Sequence, residues 1–251
     1  MKKYISLLLA ALMLLSLLAG CGNGKTNAGD GDGTRTLVLR NAAGLSTNDP
    51  HATTNTHDYT VFENIYEGLY DLNEATGGYD LRLAEKVEAN DDATEYIVTL
   101  KQGVKFHNGE TMTADDVVFS YDHAQKDAHM GSYCRPLDHV EKIDDYTVKI
   151  VMNQPFSPSG HMLHKVKIMS KKGIEELGND FGKVPNKVGT GPYMWDENNY
   201  NPLSSWSAVA FEDYHRGKAQ IEKITWNVIE DDTSAITALQ NGELDLSLIH
   251  I

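Results

Sequence analysis

The first 21 residues have the pattern of an export leader, so they are not expected to be part of the folded domain. Lys2 and Lys3 precede an apolar run at 5–19, and a charged start followed by such a run is typical of a secretory signal peptide. The run is too short for a membrane-spanning helix, which needs about 18 or more apolar residues. Leu18, Ala19 and Gly20 then supply small residues before a cleavage point.

The sequence Leu18-Ala19-Gly20-Cys21 resembles a bacterial lipobox, in which the cysteine is lipidated and becomes the mature N-terminus. That resemblance implies a lipid anchor at Cys21 and a place outside the cytoplasm, at the cell surface or in the periplasm. A single acyl chain binds a membrane only marginally, because each buried methylene contributes about 0.8 kcal/mol. The alternative is a cleaved secretory peptide in which Cys21 has no role. The polar residues 22–35 are typical of a flexible tether.

The rest of the chain is strongly acidic and poor in cysteine. The formal charge is -14 at pH 7, and losing the two leader lysines takes it to -16. The sequence has no basic block, which argues against nucleic acid as a partner. Cys134 is the only cysteine besides Cys21, so we expect no intrachain disulfide and a buried, unreactive thiol. About 220 residues follow the tether, enough for one large or two small domains.

Hydrophobic periodicity predicts a mixed α/β protein. Apolar residues at helical spacing predict helices over 58–69 and 114–125, the second capped by Thr113 and Asp116, and a third helix that Asp232 caps and Gly242 ends. Alternation predicts strands over 36–40, 96–100, 140–143, 146–152, 205–211 and 223–229. Val104 and Phe106 are expected to pair with 96–100 before a tight turn at Asn108-Gly109. Several local hairpins argue against a purely parallel, doubly wound sheet.

A series of short motifs points to a known family. Asn48-Asp49-Pro50, Glu67-Gly68-Leu69 and Leu83-Ala84-Glu85 precede the block LKQGVKFHNGETMTADDVVFS at 100–120. Later come VGTGPY at 188–193, YHRG at 214–217 and LQNGELD at 239–245. In this order the series resembles family 5 of the extracellular solute-binding proteins, the peptide and nickel group that feeds ABC importers.

The resemblance implies a bilobed, type II periplasmic-binding-protein-like α/β fold that encloses its ligand between two lobes. Residues 36–69 and 188–251 would form part of lobe I, and 70–187 would be an inserted mixed α/β domain. The second ligand-binding lobe would follow, since family members are roughly twice as long. The last six residues, 246–251, depart from the family pattern, and we expect the chain to be truncated there and to bind ligand poorly in this form.

Chain position suggests the site residues. Two segments are predicted to contact ligand, with plain surface loop as the alternative for each residue: Asn41, Ala42, Ala43, Gly44 and Leu45 after the first strand, and His164, Lys165, Val166 and Lys167 from the inserted domain. A hinge between the lobes is predicted at Gly189, Thr190, Gly191, Pro192 and Tyr193, where glycines permit dihedral angles that other residues avoid and the proline fixes the exit. Trp195 and Trp206 are expected to pack in a core.

Other residues invite a chemical interpretation that their context does not support. His107 is expected to be a solvated turn residue. His161, Met162, His164 and Met169 lack a recognisable metal-binding spacing, so no metal is predicted. The acidic pairs Asp115-Asp116 and Asp231-Asp232 each fall at a predicted helix start, where a carboxylate satisfies free backbone amides. We therefore predict no catalytic residues, no enzymatic activity and no cofactor.

The function implied by the resemblance is capture. A monomeric lipoprotein would close around a small peptide outside the cytoplasmic membrane and deliver it to the permease subunits of an ABC importer. Ligand can favour the closed form only by the difference in its affinity for the two forms. A receptor of the same fold for nickel, haem, an opine or an oligosaccharide is the alternative, and an extracytoplasmic hydrolase that uses the carboxylates or histidines is a less favoured one.

Overall fold

The structure is a computed structural model that describes residues 35–155 and 160–246. The predicted lipidation site at Cys21 and all of the tether except Arg35 lie outside these residues. Within the described part, no helix combines the length and the apolar character needed to cross a membrane.

The described elements are ten strands and five α-helices, with two short 3₁₀ turns at Met130–Ser132 and Gly178–Asp180. The strands are β1 Thr36–Asn41, β2 Tyr70–Asn73, β3 Gly78–Leu81, β4 Ala84–Ala89, β5 Glu95–Leu100, β6 Leu137–Asp144, β7 Thr147–Met152, β8 Tyr193–Asn201, β9 Ser205–Ala210 and β10 Lys223–Val228. The helices are α1 Thr56–Ile65, α2 Ala114–Lys126, α3 His161–Lys165, α4 Lys171–Leu177 and α5 Asp232–Gln240.

One four-stranded sheet joins the two ends of the described chain, in the order β1-β10-β9-β8. β1 runs parallel to β10, whereas β9 is antiparallel to both β10 and β8. Beyond β1, Leu246 forms a parallel bridge to Leu39, so the chain lies alongside the other edge of that strand as well. The three tryptophans, Trp195, Trp206 and Trp226, are almost completely buried against this sheet, and Trp206 lies directly opposite Trp226 in the register.

A second four-stranded sheet is wholly antiparallel, in the order β4-β5-β7-β6. The alternating burial of β5 and β7 turns one face of this sheet inward, as expected for an antiparallel sheet with one solvated face. The buried face of α2 packs in the same core, where Cys134 is fully buried as predicted. A separate hairpin, β2–β3, pairs Tyr70 with Leu81.

The two sheets have separate hydrophobic cores. The first core holds the inner face of the β4–β7 sheet with α2. The second holds the tryptophans, α1 and the β8–β10 strands. Met162 packs in the first core, and Met169 and Ile174 pack in the second, so the chain passes from one core to the other between 168 and 169.

Local capping explains the helix that the sequence predicts best. The backbone N–H of Thr113 donates to the Asp116 carboxylate at 2.9 Å, at the start of α2, as the capping-box pattern predicts. At α5 the cap is Asp231 rather than the predicted Asp232, because Asp231 Oδ1 accepts from the backbone N–H of Ser234 at 2.8 Å. Asp232 instead forms an ion pair with Arg40.

Two other predictions about elements were wrong because of contacts distant in sequence. The helix predicted over 58–69 ends at Ile65, because the next residues are extended and pair with another segment, with Gly68 bridged to Lys167. Val104 and Phe106 are not a strand partner of β5, whose neighbours are β4 and β7. The predicted turn at Asn108-Gly109 is present, and Gly109 has a φ of 87°.

Candidate functional site

A concave surface lies between α1, the β2–β3 hairpin and α3. Its larger part, a cavity of about 440 Å³, is lined by Thr56, Tyr59, Thr60, Glu63, Asp71, Leu72, Glu74, His164 and Lys165. A smaller cavity of about 70 Å³ continues from it, shares Glu63 and Asp71, and also contacts Glu67, Arg82, Lys167, Pro192 and Tyr214. We call these the large cavity and the small cavity.

The short helix α3 and the segment directly after it place three of the predicted ligand-binding residues at these cavities. His164 and Lys165 line the large cavity and Lys167 lines the small one. Val166 is completely buried and lines neither. The segment approaches Gly68 so closely that a Cβ there would lie 2.6 Å from the carbonyl oxygens of Leu163 and His164, which explains why a glycine stands at 68.

The charges at the junction of the two cavities are paired. Lys167 Nζ donates to Glu63 Oε2 at 2.7 Å, and His164 Nε2 lies 3.7 Å from the same carboxylate. Burial alone would raise the pKa of Glu63, but the neighbouring Lys167 outweighs it and the pKa is lowered. Burial, aided by Lys167, lowers the pKa of His164 to about 4. Glu63 is therefore an anion, and His164 is a neutral imidazole near pH 7.

Lys165 differs from its neighbours because its ammonium lies over an aromatic ring. Nζ is 4.3 Å from the centroid of the Tyr59 ring, and none of the described carboxylates forms an ion pair with it. Burial lowers the pKa of Lys165, an effect that Glu63 partly opposes. The Tyr59 hydroxyl donates to Thr53 O at 3.3 Å, so the ring beneath the ammonium is held in place.

Glu67, at the wall of the small cavity, is a buried carboxylate that accepts hydrogen bonds from several segments of the chain. Oε1 accepts from Tyr214 Oη at 2.8 Å, and Oε2 accepts from Thr190 Oγ1 and His215 Nε2, both at 3.0 Å. Arg82 Nη1 lies 3.5 Å from Oε1. Burial alone would raise the pKa of Glu67, but these donors outweigh it and the pKa is lowered.

The predicted hinge segment packs tightly against the end of α1. A Cβ at Gly189 would lie 2.2 Å from Ile65 O, and one at Gly191 would lie 2.6 Å from the carbonyl carbon of Ile65. Neither glycine has a positive φ, so close approach of the backbone, and not an unusual dihedral angle, is the reason for glycine here. Pro192 lines the small cavity, and Tyr193 begins β8.

His107 also contacts this segment, contrary to the prediction of a solvated turn residue. It is 6% exposed, and its Nε2 donates to Gly191 O at 3.0 Å. Burial lowers the pKa of His107 to about 4, so the ring is neutral.

The other predicted ligand-binding segment lies at a different place, beside the turn between β8 and β9. Asn41 is the buried last residue of β1, and Leu45 donates its backbone N–H to Pro202 O at 2.8 Å. A Cβ at Gly44 would lie 2.6 Å from the same carbonyl oxygen. Ala42 and Ala43 lie between them, and neither cavity is lined by any residue of this segment. The ligand contacts proposed for 41–45 stay a prediction.

Three residues that were not predicted as ligands form a compact polar group. The ligand-type atoms of Asp49, His51 and His123 lie within 4.8 Å of one another. His123 Nε2 donates to Asp49 Oδ2 at 2.8 Å. However, the backbone N–H of Lys167 donates to His51 Nε2 at 3.0 Å, so the neutral ring carries its proton on Nδ1. Neither nitrogen of His51 then offers a free lone pair, and this donor set does not suit a metal ion.

The residues weighed for other chemistry have structural partners. Asp115 pairs with Lys142 at 2.7 Å, while Asp116 and Asp231 cap helices. Met162 and Met169 belong to different cores, so the His161, Met162, His164 and Met169 set does not come together as one cluster. Trp195 and Trp206 are buried core residues, as predicted.

Sequence reasoning missed the α1 side of the site, that is Thr56, Tyr59, Thr60 and Glu63. Polar residues on a helix are normally solvated, and nothing local distinguishes these from any exposed face. The available signal was Glu67-Gly68-Leu69, a motif of the resemblance, which lies immediately after the helix.

Comparison with known proteins identifies the family. A model described as "Bacterial extracellular solute-binding proteins, family 5 Middle" matches residues 79–250. The chain belongs to family 5 of the bacterial extracellular solute-binding proteins. The glutathione-binding protein GsiB of Salmonella paratyphi A is 31% identical over 215 residues, and GsiB of Escherichia coli is 30% identical. In both comparisons the match covers 82% of this chain and 41% of the relative.

Solved structures of other binding proteins share the fold. The protein MoaA of A. tumefaciens, in complex with mannopinic acid, is 30% identical with a TM-score of 0.77, over 85% of this chain and 45% of that one. The oligopeptide-binding protein AppA of Bacillus subtilis, in complex with a nonapeptide, is 25% identical with a TM-score of 0.77, over 85% and 44%. The predicted α/β, periplasmic-binding-protein-like fold is therefore confirmed. This chain spans less than half the length of these relatives.

Proposed function

We propose that this protein captures a small peptide or peptide-like solute outside the cytoplasmic membrane and delivers it to an ABC permease. The observation that carries the proposal is the concave surface between α1, the β2–β3 hairpin and α3, which occurs in a fold shared with proteins that hold mannopinic acid and a nonapeptide. Clefts with a few convergent polar groups are the usual ligand sites of proteins.

The chemistry of the surface suits an amphipathic ligand. Tyr59 and Leu72 offer apolar area, while Glu63, Lys165 and Thr56 offer charged and hydroxyl groups. His164 and Lys165 were predicted as ligand contacts from chain position, and both line the large cavity. We propose these two, together with Tyr59, as the first contacts to examine.

The organisation of the chain around this surface is also part of the proposal. Residues 36–69 and 188–246 would form one lobe, with the β4–β7 sheet inserted between them. The packing of Met169 and Ile174 in the tryptophan-containing core favours a boundary near 168 rather than 187. The hinge at 189–193 stays a prediction, because Val188 and Tyr193 both pack in the tryptophan-containing core, on the same side of a boundary near 168.

We further propose that the protein is a monomer anchored through lipid on Cys21. The supporting features are the lipobox-like sequence and the polar residues that follow it. Mass spectrometry of the protein recovered from bacterial membranes tests the anchor, because a mature chain that starts at Cys21 should carry the mass of its acyl chains. The Cys21→Ser variant should be recovered without them, and an unmodified wild-type cysteine would contradict this part.

Ligand capture is tested by mass spectrometry of small molecules that co-purify with the protein from its bacterial host. We expect an intact solute of peptide-like chemistry that is released on unfolding and is not consumed on incubation. A Tyr59→Ala variant should lose the co-purified ligand, whereas Tyr146→Ala, outside both cavities, should retain it. Turnover of the ligand, or no difference between the two variants, would overturn the proposal.

A further inference from the structure

We propose that Lys165 is the specificity-determining residue for an anionic group of the ligand, so that the large cavity selects solutes with a free carboxylate. This inference rests on the proposed function and adds the chemical class of the ligand to it. It concerns a role that chain position alone did not assign to Lys165.

The first step is the charge balance of the large cavity. Of its carboxylates, Glu63 is paired with Lys167 at 2.7 Å, and Asp71 is paired with Arg82. Glu74 is exposed on the turn between β2 and β3. The ammonium of Lys165 has no ion-pair partner among the described residues, although the side chain is half-buried. A cation that is partly removed from water and unpaired gains from an anion placed beside it.

The second step is preorganisation. The Tyr59 ring lies under the ammonium with Nζ 4.3 Å from the ring centroid, and a cation–π contact restricts a side chain that is otherwise flexible. The backbone of α3 is fixed at the same time, because Val166 donates its N–H to Met162 O at 3.0 Å and its side chain is buried. Lys165 is therefore held with its charge at the cavity wall before any ligand arrives, which reduces the entropy lost on binding.

The third step is the electrostatic character of the rest of the cavity lining. Thr56, the first residue of α1, lines the same cavity, and the beginning of a helix carries a partial positive charge. His164 contributes no charge near pH 7, because its pKa is lowered to about 4. Three carboxylates also line the large cavity, but Glu63 and Asp71 are neutralised by Lys167 and Arg82. In a chain whose formal charge is -14, anion binding here would therefore depend on Lys165 and not on the general charge of the protein.

The test is isothermal titration calorimetry of the full-length protein, as its bacterial host makes it, with two matched pairs of probes. One pair is trialanine and trialanine amide, and the other is glutathione and glutathione diethyl ester. We expect the wild type to bind at least one acid form about 10-fold or more tighter than its blocked form, as a charge-assisted hydrogen bond requires. Lys165→Met should bring the two forms within about 2-fold, whereas Lys165→Arg should keep most of the preference.

The matched control is Lys171→Met. Lys171 is an exposed lysine at the start of α4, outside both cavities, so its replacement should leave the preference for the acid form unchanged. A second measurement, the salt dependence of binding, uses only the wild type and so does not depend on whether the variants fold. The affinity for the acid form divided by the affinity for the blocked form should fall as ionic strength rises from about 0.05 to about 0.5 M, because salt screens the partly exposed ammonium.

The outcomes separate the inference from the function on which it rests. If the wild type binds the acid and blocked forms equally, or Lys165→Met keeps the preference, the protein still captures these solutes but the role of Lys165 is refuted. If the correctly folded wild type binds none of the four probes, the proposed capture of peptide-like solutes fails, and the inference about Lys165 fails with it.

Discussion

Replacing Glu67 with Gln should strongly destabilise the protein, although the two side chains have nearly the same shape. The carboxylate is 5% exposed, and an ionised carboxylate only accepts hydrogen bonds. Its two oxygens face two sets of donors: Tyr214 and Arg82 at Oε1, and Thr190 and His215 at Oε2. A Gln amide keeps one acceptor and replaces the other with a donor, so one set of donors would face N–H groups.

The magnitude follows from what each partner loses. Hydrogen bonds to a charged group contribute about 1.5–3 kcal/mol each, and removing one member of a buried ion pair costs about 3–5 kcal/mol. Arg82 keeps its ion pair with Asp71, and the hydroxyls of Thr190 and Tyr214 can rotate, which reduces the loss. We therefore expect Glu67→Gln to lower the free energy of unfolding by about 3 kcal/mol.

Urea unfolding followed by tryptophan fluorescence measures this loss, since all three tryptophans lie in one core. With a slope of about 3 kcal/mol/M, the midpoint should move down by about 1 M. Glu85→Gln is the control, because Glu85 is exposed nearby, and its midpoint should move by less than about 0.2 M. A Glu67→Gln midpoint indistinguishable from that of the control would refute the argument that the carboxylate organises these segments.

Three further predictions concern other parts of the chain. The hydrogen bond from His123 to Asp49 raises the pKa of His123. The stability that this pair contributes should therefore be complete below the unfolded pKa of about 6.5 and be lost as pH rises through the raised value. The urea midpoints of the wild type and of His123→Gln should converge over that pH range. Gly191→Ala should lower the free energy of unfolding by about 2 kcal/mol or more, because its Cβ would lie 2.6 Å from the α1 backbone. Burial raises the pKa of the Cys134 thiol to about 11, so this thiol should react with a disulfide reagent only after unfolding.

Controls are available for each of these. His139 forms a half-exposed pair with Asp138, so His139→Gln should have little effect on the pH dependence. Gly78→Ala places its Cβ 3.3 Å from a threonine hydroxyl, a milder approach that should cost less than Gly191→Ala. The thiol assay needs Cys21→Ser so that a single cysteine is counted. The first prediction is contradicted if the urea midpoints of the wild type and His123→Gln stay apart as pH rises. The second is contradicted if both glycine variants lose the same free energy of unfolding, and the third if the thiol of the folded protein reacts rapidly.

Elements specified by neighbouring residues could be predicted from the sequence, and those specified by distant contacts could not. Thr113 and Asp116 cap α2 within a single turn, so the pattern sufficed. The residues after Ile65 continue a helical pattern, yet Tyr66 is extended and the helix ends, because Gly68 pairs with Lys167, about 100 positions away. His107 was expected in solvent for the same reason, since the segment that buries it includes Gly191.

Chain position is the only sequence signal that led to the large cavity, and ligand contact there stays a prediction. His164 and Lys165, predicted as ligand contacts, both line the large cavity. Tyr59 and Glu63 line it too, but the sequence did not indicate them, because a polar residue on an amphipathic helix resembles any solvated one. Close approach of the backbone likewise leaves no trace in composition. The glycines at 189 and 191 were predicted for unusual dihedral angles, but neither has a positive φ, and the reason for glycine there is the close approach to Ile65.

The order in which the strands are synthesised has a consequence for how this chain reaches its fold. β1 is made first, but both of its neighbours, β10 and the segment at Leu246, emerge near the end of the described residues. Because pairing segments so far apart in the chain closes a long loop, β1 must keep its backbone groups unpaired on both sides until the later segments are available. The β4–β7 sheet, whose strands are contiguous in the chain, can close during that interval. Nascent β1 is thus the segment most exposed to wrong pairing, and a chaperone that protects it should raise the yield of folded protein more than one acting on any later strand.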